Sequence, residues 1–97
     1  MDFIADQKEQ KTNLHNPRKN NCYFKISIIL DDGTVVWTSE LIAPGEKVKN
    51  ITLHETMPEG TYDNVTVKYD CFAMNKKVSL NNAKIKIKLV VKKDKGG

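Results

Sequence analysis

Cys22 and Cys71 are the only cysteines among the 97 residues and carry the clearest chemistry in the sequence. Each falls on the apolar phase of an alternating stretch: Cys22, Phe24, Ile26, Ile28, Leu30 in one, and Val65, Val67, Tyr69, Cys71, Ala73 in the other. Both side chains are therefore expected to point into the core, either as a disulfide or as two buried thiols. A bridge would close a loop of 50 residues (71 − 22 + 1). The chain-entropy model values that closure at roughly 4 kcal/mol, a large share of a small domain's stability. Neither cysteine has a catalytic setting, because there is no Cys-x-x-Cys and no base evidently placed to form a thiolate.

His15 and His54 complete a set of four metal-binding side chains with the cysteines, but no two share a zinc-type spacing. They read as surface residues at strand ends, and no metal or other cofactor is expected. The carboxylate pair Asp31-Asp32 stands just before Gly33, where acidic residues are common for conformational reasons. Nucleophile motifs of the Gly-x-Ser-x-Gly type and phosphate-binding loops are missing from the sequence. The chain reads as non-enzymatic.

Sixteen Lys and Arg against twelve Asp and Glu give a net charge of +4. Lys84, Lys86 and Lys88 repeat every second residue near the end, about 7 Å apart on one face of a strand. Such a row is a candidate anion-binding site for nucleic acid, teichoic acid or a lipid head-group surface. The favoured reading is plainer: lysines keep a terminal strand soluble and discourage edge pairing. A single arginine, Arg18, and a Lys row without interleaved aromatics weigh against nucleic acid.

The elements that position these residues are strands. No window has the pattern of a capped amphipathic helix, and no apolar run approaches the roughly 18 residues that would span a bilayer. Residues 1–12 read as a flexible lead-in, 13–92 as the folded domain and 93–97 as a solvated tail. Strands are expected near 13–16, 22–30, 34–39, 41–42, 47–54, 60–74, 78–80 and 83–91. Asp31-Asp32-Gly33 marks a tight hairpin, Pro44-Gly45 the centre of a type II turn, and Asn81-Asn82 a further turn. Val48 is out of phase with Ile51 and Leu53, which implies a bulge or break there. About seven short strands at near-regular spacing point to an all-β antiparallel sandwich.

Cys22, Trp37 and Cys71, with Tyr69 two residues before the second cysteine, resemble the Cys, Trp, Tyr-x-Cys arrangement of immunoglobulin-like domains. The run Met57-Pro58-Glu59-Gly60-Thr61-Tyr62 is similar to the corner of fibronectin type III domains, which would make Tyr62 a structural residue whose hydroxyl caps the backbone. More narrowly, Asn16-Pro17, Leu30 to Thr34, Leu41 to Gly45, Glu59 to Tyr62 and Leu80 to Ala83 resemble small cell-envelope domains of Gram-positive bacteria. The resemblance covers residues 16–92 and implies an immunoglobulin-like β-sandwich of about seven strands. It also implies an extracytoplasmic address, at the cell surface or secreted, with a targeting segment or membrane anchor trimmed from this chain. A structural or adhesive role is implied, with a protein partner, either another copy or another cell-surface component. In one respect the chain departs from immunoglobulin domains, where the strands of the first Cys and the Trp lie in different sheets. An Asp32-Gly33 hairpin would pair them in one.

The alternation also turns Tyr23, Ile29, Phe72 and Met74 away from the core. Together they form a candidate protein-binding face, unless the N-terminal segment with Phe3 and Ile4 folds over it.

Overall fold

The structure, a computed structural model, describes residues 1–75 and 78–93. Its described residues form seven strands and no helix: β1 (Asp2–Ile4), β2 (Glu9–His15), β3 (Tyr23–Ile29), β4 (Val35–Thr38), β5 (Lys47–Thr52), β6 (Gly60–Phe72) and β7 (Ser79–Lys92). They make a five-stranded sheet of order β1-β7-β6-β3-β4 and a two-stranded sheet, β2-β5. Ile26, Ile28, Val65, Val67 and Leu89 from the larger sheet share one buried cluster with Leu14 and Ile51 from the smaller. Period-two alternation sets this arrangement, since one slip in register would turn each apolar set to water.

Four expectations change. The larger sheet is mixed, because β1 runs parallel to β7, with Phe3 beside Val91. Residues 1–12 are not a loose lead-in: β1 and the start of β2 lie within them, and Phe3 is 2% exposed. The Gln10 side chain holds this segment, accepting from the Ile4 N–H and donating to the Ile4 and Gln7 carbonyls, each at 2.8 Å. The irregularity inferred from Val48 exists, but the extra residue sits in β2, between Lys11 and Leu14. Asn81-Asn82 does not end a strand either. β6 is long enough to keep pairing, so the ladder absorbs one extra residue between Ser79 and Asn82 and β7 continues.

The other turns follow the sequence more closely. β3 and β4 pair antiparallel in one sheet, as the Asp32-Gly33 reading implied. The Gly33 N–H donates to the Leu30 carbonyl and the Leu30 N–H to the Thr34 carbonyl, with Gly33 alone in this turn at positive φ (91°). That is a turn with a glycine bulge, one residue longer than a two-residue hairpin. At Ala43 to Glu46 the Glu46 N–H donates to the Ala43 carbonyl at 3.0 Å, with Gly45 at φ 88°. The segment from 41 to 42 contributes a single bridge, Phe24 to Ile42.

The two-stranded sheet is too narrow to cover its partner. Leu89 and Val91 are buried, Ile87 is half-buried, and Ser79 to Lys86 are exposed at every residue although all belong to the strand. The distal half of the β6–β7 hairpin therefore overhangs the core, and the described residues span 44 × 27 × 19 Å. The turn expected at Lys76-Lys77 and the tail from 94 to 97 lie outside the described residues.

Candidate interaction surface

The register of β7, β6 and β3 places the residues of the outer sheet face in rows. Lys86 lies beside Thr66 and Thr66 beside Ile29; Lys84 beside Lys68 and Lys68 beside Ser27; Asn82 beside Asp70 and Asp70 beside Lys25; Ser79 beside Phe72 and Phe72 beside Tyr23. The four residues expected to share an outward apolar face are therefore divided. Tyr23 and Phe72 are direct cross-strand partners, half-buried, at the overhanging end, and Met74 follows in the adjoining turn at 55% exposure. Ile29 is at the other end of β3, six residues and about 20 Å away, with Lys25 and Ser27 between. β1 does not cover this end, since its partners are Val90 to Lys92. Val78 and Leu80, each 50% exposed, stand at the same end as Phe72. Sequence reading missed them because the alternation breaks at the extra residue before Asn82.

Lys84, Lys86 and Lys88 are exposed on β7, as expected. Lys25 and Lys68 join them across the sheet, which no spacing along one strand could reveal. Lys68 and Lys84 are directly opposed, a destabilising pairing at roughly 5 Å between Cβ atoms. Asp70 relieves part of this by meeting the Lys68 ammonium at 3.6 Å.

Of the two alternatives for the cysteines, the disulfide is not formed. Both are free thiols, 3.7 Å apart, whereas a disulfide brings its sulfurs to about 2.05 Å. Cys71 pairs with Phe24 in register, so Cys22 lies diagonally across neighbouring strands of one sheet, not across the sandwich. Both are half-buried at the end that the smaller sheet leaves uncovered. Burial, reinforced by the hydrogen bond with Cys22 and the nearby Asp70 carboxylate, pushes the Cys71 thiol up to about 11. Such a thiol is a weak nucleophile at neutral pH. Beside it, the Tyr69 ring meets Phe24 edge-on at 5.5 Å, and burial raises the Tyr69 phenol.

The remaining polar residues serve the framework. The Tyr62 hydroxyl donates to the Pro58 carbonyl at 2.8 Å, four residues back. Asn16 is fully buried: its amide donates to the Cys22 and Ile42 carbonyls at 2.9 and 2.8 Å and accepts from Asn20 at 2.8 Å. Hydrogen bonds from the Thr34 hydroxyl and then from the Thr34 N–H hold the Asp32 carboxyl below its usual pKa. His15 ends β2 opposite Lys47, and His54 follows β5, donating its backbone N–H to Val36. No group of three or more His, Cys, Asp and Glu fit for a metal occurs among the described residues.

Comparison with family models, curated proteins and solved structures finds no match. No described helix is long and apolar enough to cross a membrane.

Proposed function

We propose that this chain is a non-enzymatic, immunoglobulin-like module presented outside the cytoplasm, which binds a protein partner through the overhanging end of its larger sheet. The observation that carries this reading is the uncovered Tyr23–Phe72 pair followed by exposed Met74, with Val78 and Leu80 exposed at the same end of the sheet on its other face. Clustered apolar side chains on an otherwise charged surface favour a protein contact. The strand order, with β2-β5 facing β1-β7-β6-β3-β4, supports the immunoglobulin-like part, as does the Tyr62 hydrogen bond. The extracytoplasmic address rests on the resemblance to cell-envelope domains.

The test compares variants for retention of envelope proteins. Phe72→Asp and Met74→Asp should each abolish a retained band, while Ile29→Asp, at the far end of the face, leaves it unchanged. Equal retention by all three, with native circular dichroism, removes the reading. Protease treatment of intact cells producing the natural protein tests the address, since an intracellular protein would survive it.

A second reading draws on Lys25 and Lys68, which join the Lys84–Lys88 row to form a basic face for an anionic polymer. Binding to such a polymer would then fall steeply with salt and vanish on charge reversal at Lys84, Lys86 and Lys88. Binding that survives the reversal eliminates it.

A further inference from the structure

The direction of the backbone along β7 follows from its contact with β1. The Val90 N–H donates to the Met1 carbonyl at 3.0 Å, and the Lys92 carbonyl accepts from the Ala5 N–H at 2.8 Å. Even-numbered residues therefore turn both backbone polar groups toward the β1 side, and this repeats every second residue in a regular strand. β7 is regular back to Asn82: the extra residue between Tyr62 and Val65 belongs to β6, and the ladder then runs unshifted from Ile87 to Ala83 and Asn82. Asn82, Lys84, Lys86 and Lys88 thus present N–H and C=O groups at an edge that β1, ending beside Val90, does not reach. The same residues carry the outward ammonium groups. Between them Ile85, 51% exposed, and half-buried Ile87 occupy the opposite face.

We propose that this open edge, Asn82 to Lys88, binds an extended segment of a partner protein by strand addition, the segment alternating Asp or Glu with apolar residues. The proposal rests on the reading of the chain as a protein-binding module and names the partner's chemistry. The acidic side chains would stand against the lysines on the outer face, while the apolar ones extend the surface of Ile85 and Ile87. A second copy is the poorer occupant, because antiparallel pairing of two β7 edges sets Lys against Lys. An anionic polymer would meet the ammonium groups but leave the edge amides and Ile85 in water.

The probe is a peptide of about eight residues alternating Glu with Val, N-methylated on the amides of its far edge so that it cannot stack on itself. At saturating peptide, amide hydrogen exchange at Lys84, Lys86 and Lys88 should slow at least about tenfold, while Ile85 and Ile87, already bonded to β6, stay unchanged. Lys86→Pro removes an edge donor without touching the β6 ladder and should weaken binding at least about tenfold. If that variant does not fold, Ile85→Glu, which keeps every backbone donor, should weaken binding to the same degree. The proposal is overturned if a peptide with Glu and Val in separate blocks, or inorganic polyphosphate, binds equally well. Unprotected edge amides overturn it too, as does self-association through β7 in sedimentation experiments. Loss of the peptide effect while Phe72→Asp still abolishes partner retention removes strand addition alone; loss of both removes the module reading as well.

Discussion

Replacing Asn16 with Ala should destabilise the fold strongly for a single polar truncation. Its fully buried amide is the meeting point of three segments: the Cys22 entry to β3, the Ile42 bridge, and Asn20 in the turn between. Its backbone is fixed too, through Glu46 and the Gly45 N–H. Three side-chain hydrogen bonds are lost in the variant, each worth about 1 kcal/mol net. The Ile42 carbonyl keeps the Phe24 N–H at 3.0 Å and is only partly unsatisfied, which limits the added penalty. The expected loss is about 3 kcal/mol, against a total of about 5–15 kcal/mol for a domain of this length. A loss of that size lowers the thermal midpoint by roughly 12–24 °C. Urea unfolding monitored by Trp37 fluorescence would measure it. Asn20→Ala is the internal control, because it removes only one partly exposed bond and should cost under about 1 kcal/mol. A loss below about 1 kcal/mol for Asn16→Ala, or one equal to that of Asn20→Ala, would refute the reasoning.

Lys84→Glu should stabilise the fold by about 0.2–1 kcal/mol at low salt, because it converts the opposed Lys68–Lys84 pair into an attractive one. The urea midpoint should rise for Lys84→Glu but not for Lys88→Glu, which lies near Asp63; equal shifts would contradict the register. Cys71 should alkylate about a hundredfold more slowly at pH 8 in the native chain than in urea, since its pKa stands at about 11 against an ordinary 9.0. Peptide mapping after timed iodoacetamide treatment would show this, and equal rates in both states would dismiss the buried setting. The raised pKa also has a stability consequence: the native state holds this proton more tightly, so its contribution is fully present below pH 9 and lost as pH rises toward 11. The difference in urea midpoint between the natural chain and Cys71→Ser should therefore shrink across that window; a constant difference would contradict it.

Much of this fold was legible because period-two patterning is a local signal. Ile26, Ile28, Val65 and Val67 alternate in sequence and are buried side by side in the structure. Pro44-Gly45 and Gly33 announced turns through backbone geometry that only a few residues tolerate. The N-terminal strand was not legible, because its order comes from the Gln10 side chain closing on backbone groups six residues away. A polar segment held by one buried amide looks the same in sequence as a polar segment held by nothing. The cysteines show the same limit in another form. Their inward phase was readable, yet whether two inward residues face each other across a sandwich or along one sheet depends on strand order. The candidate face divided for a related reason, since Tyr23 and Ile29 share a phase but not a place.

The unequal width of the two sheets links these observations. Two strands cannot cover five, so a strand whose apolar phase continues past the cover must expose it, as β7 does from Ile85 to Ser79. Residues in that overhang contribute little apolar burial to folding, while five of them, Ser79 and Asn82 to Ile85, still pair with β6. Lysines on the outer face make the exposed edge tolerable by opposing self-pairing. They also select, because the charge that repels a like strand attracts an acidic one, while Ile85 remains open to apolar contact. An edge protected in this way excludes copies of itself and admits a complementary segment through one and the same row of charges.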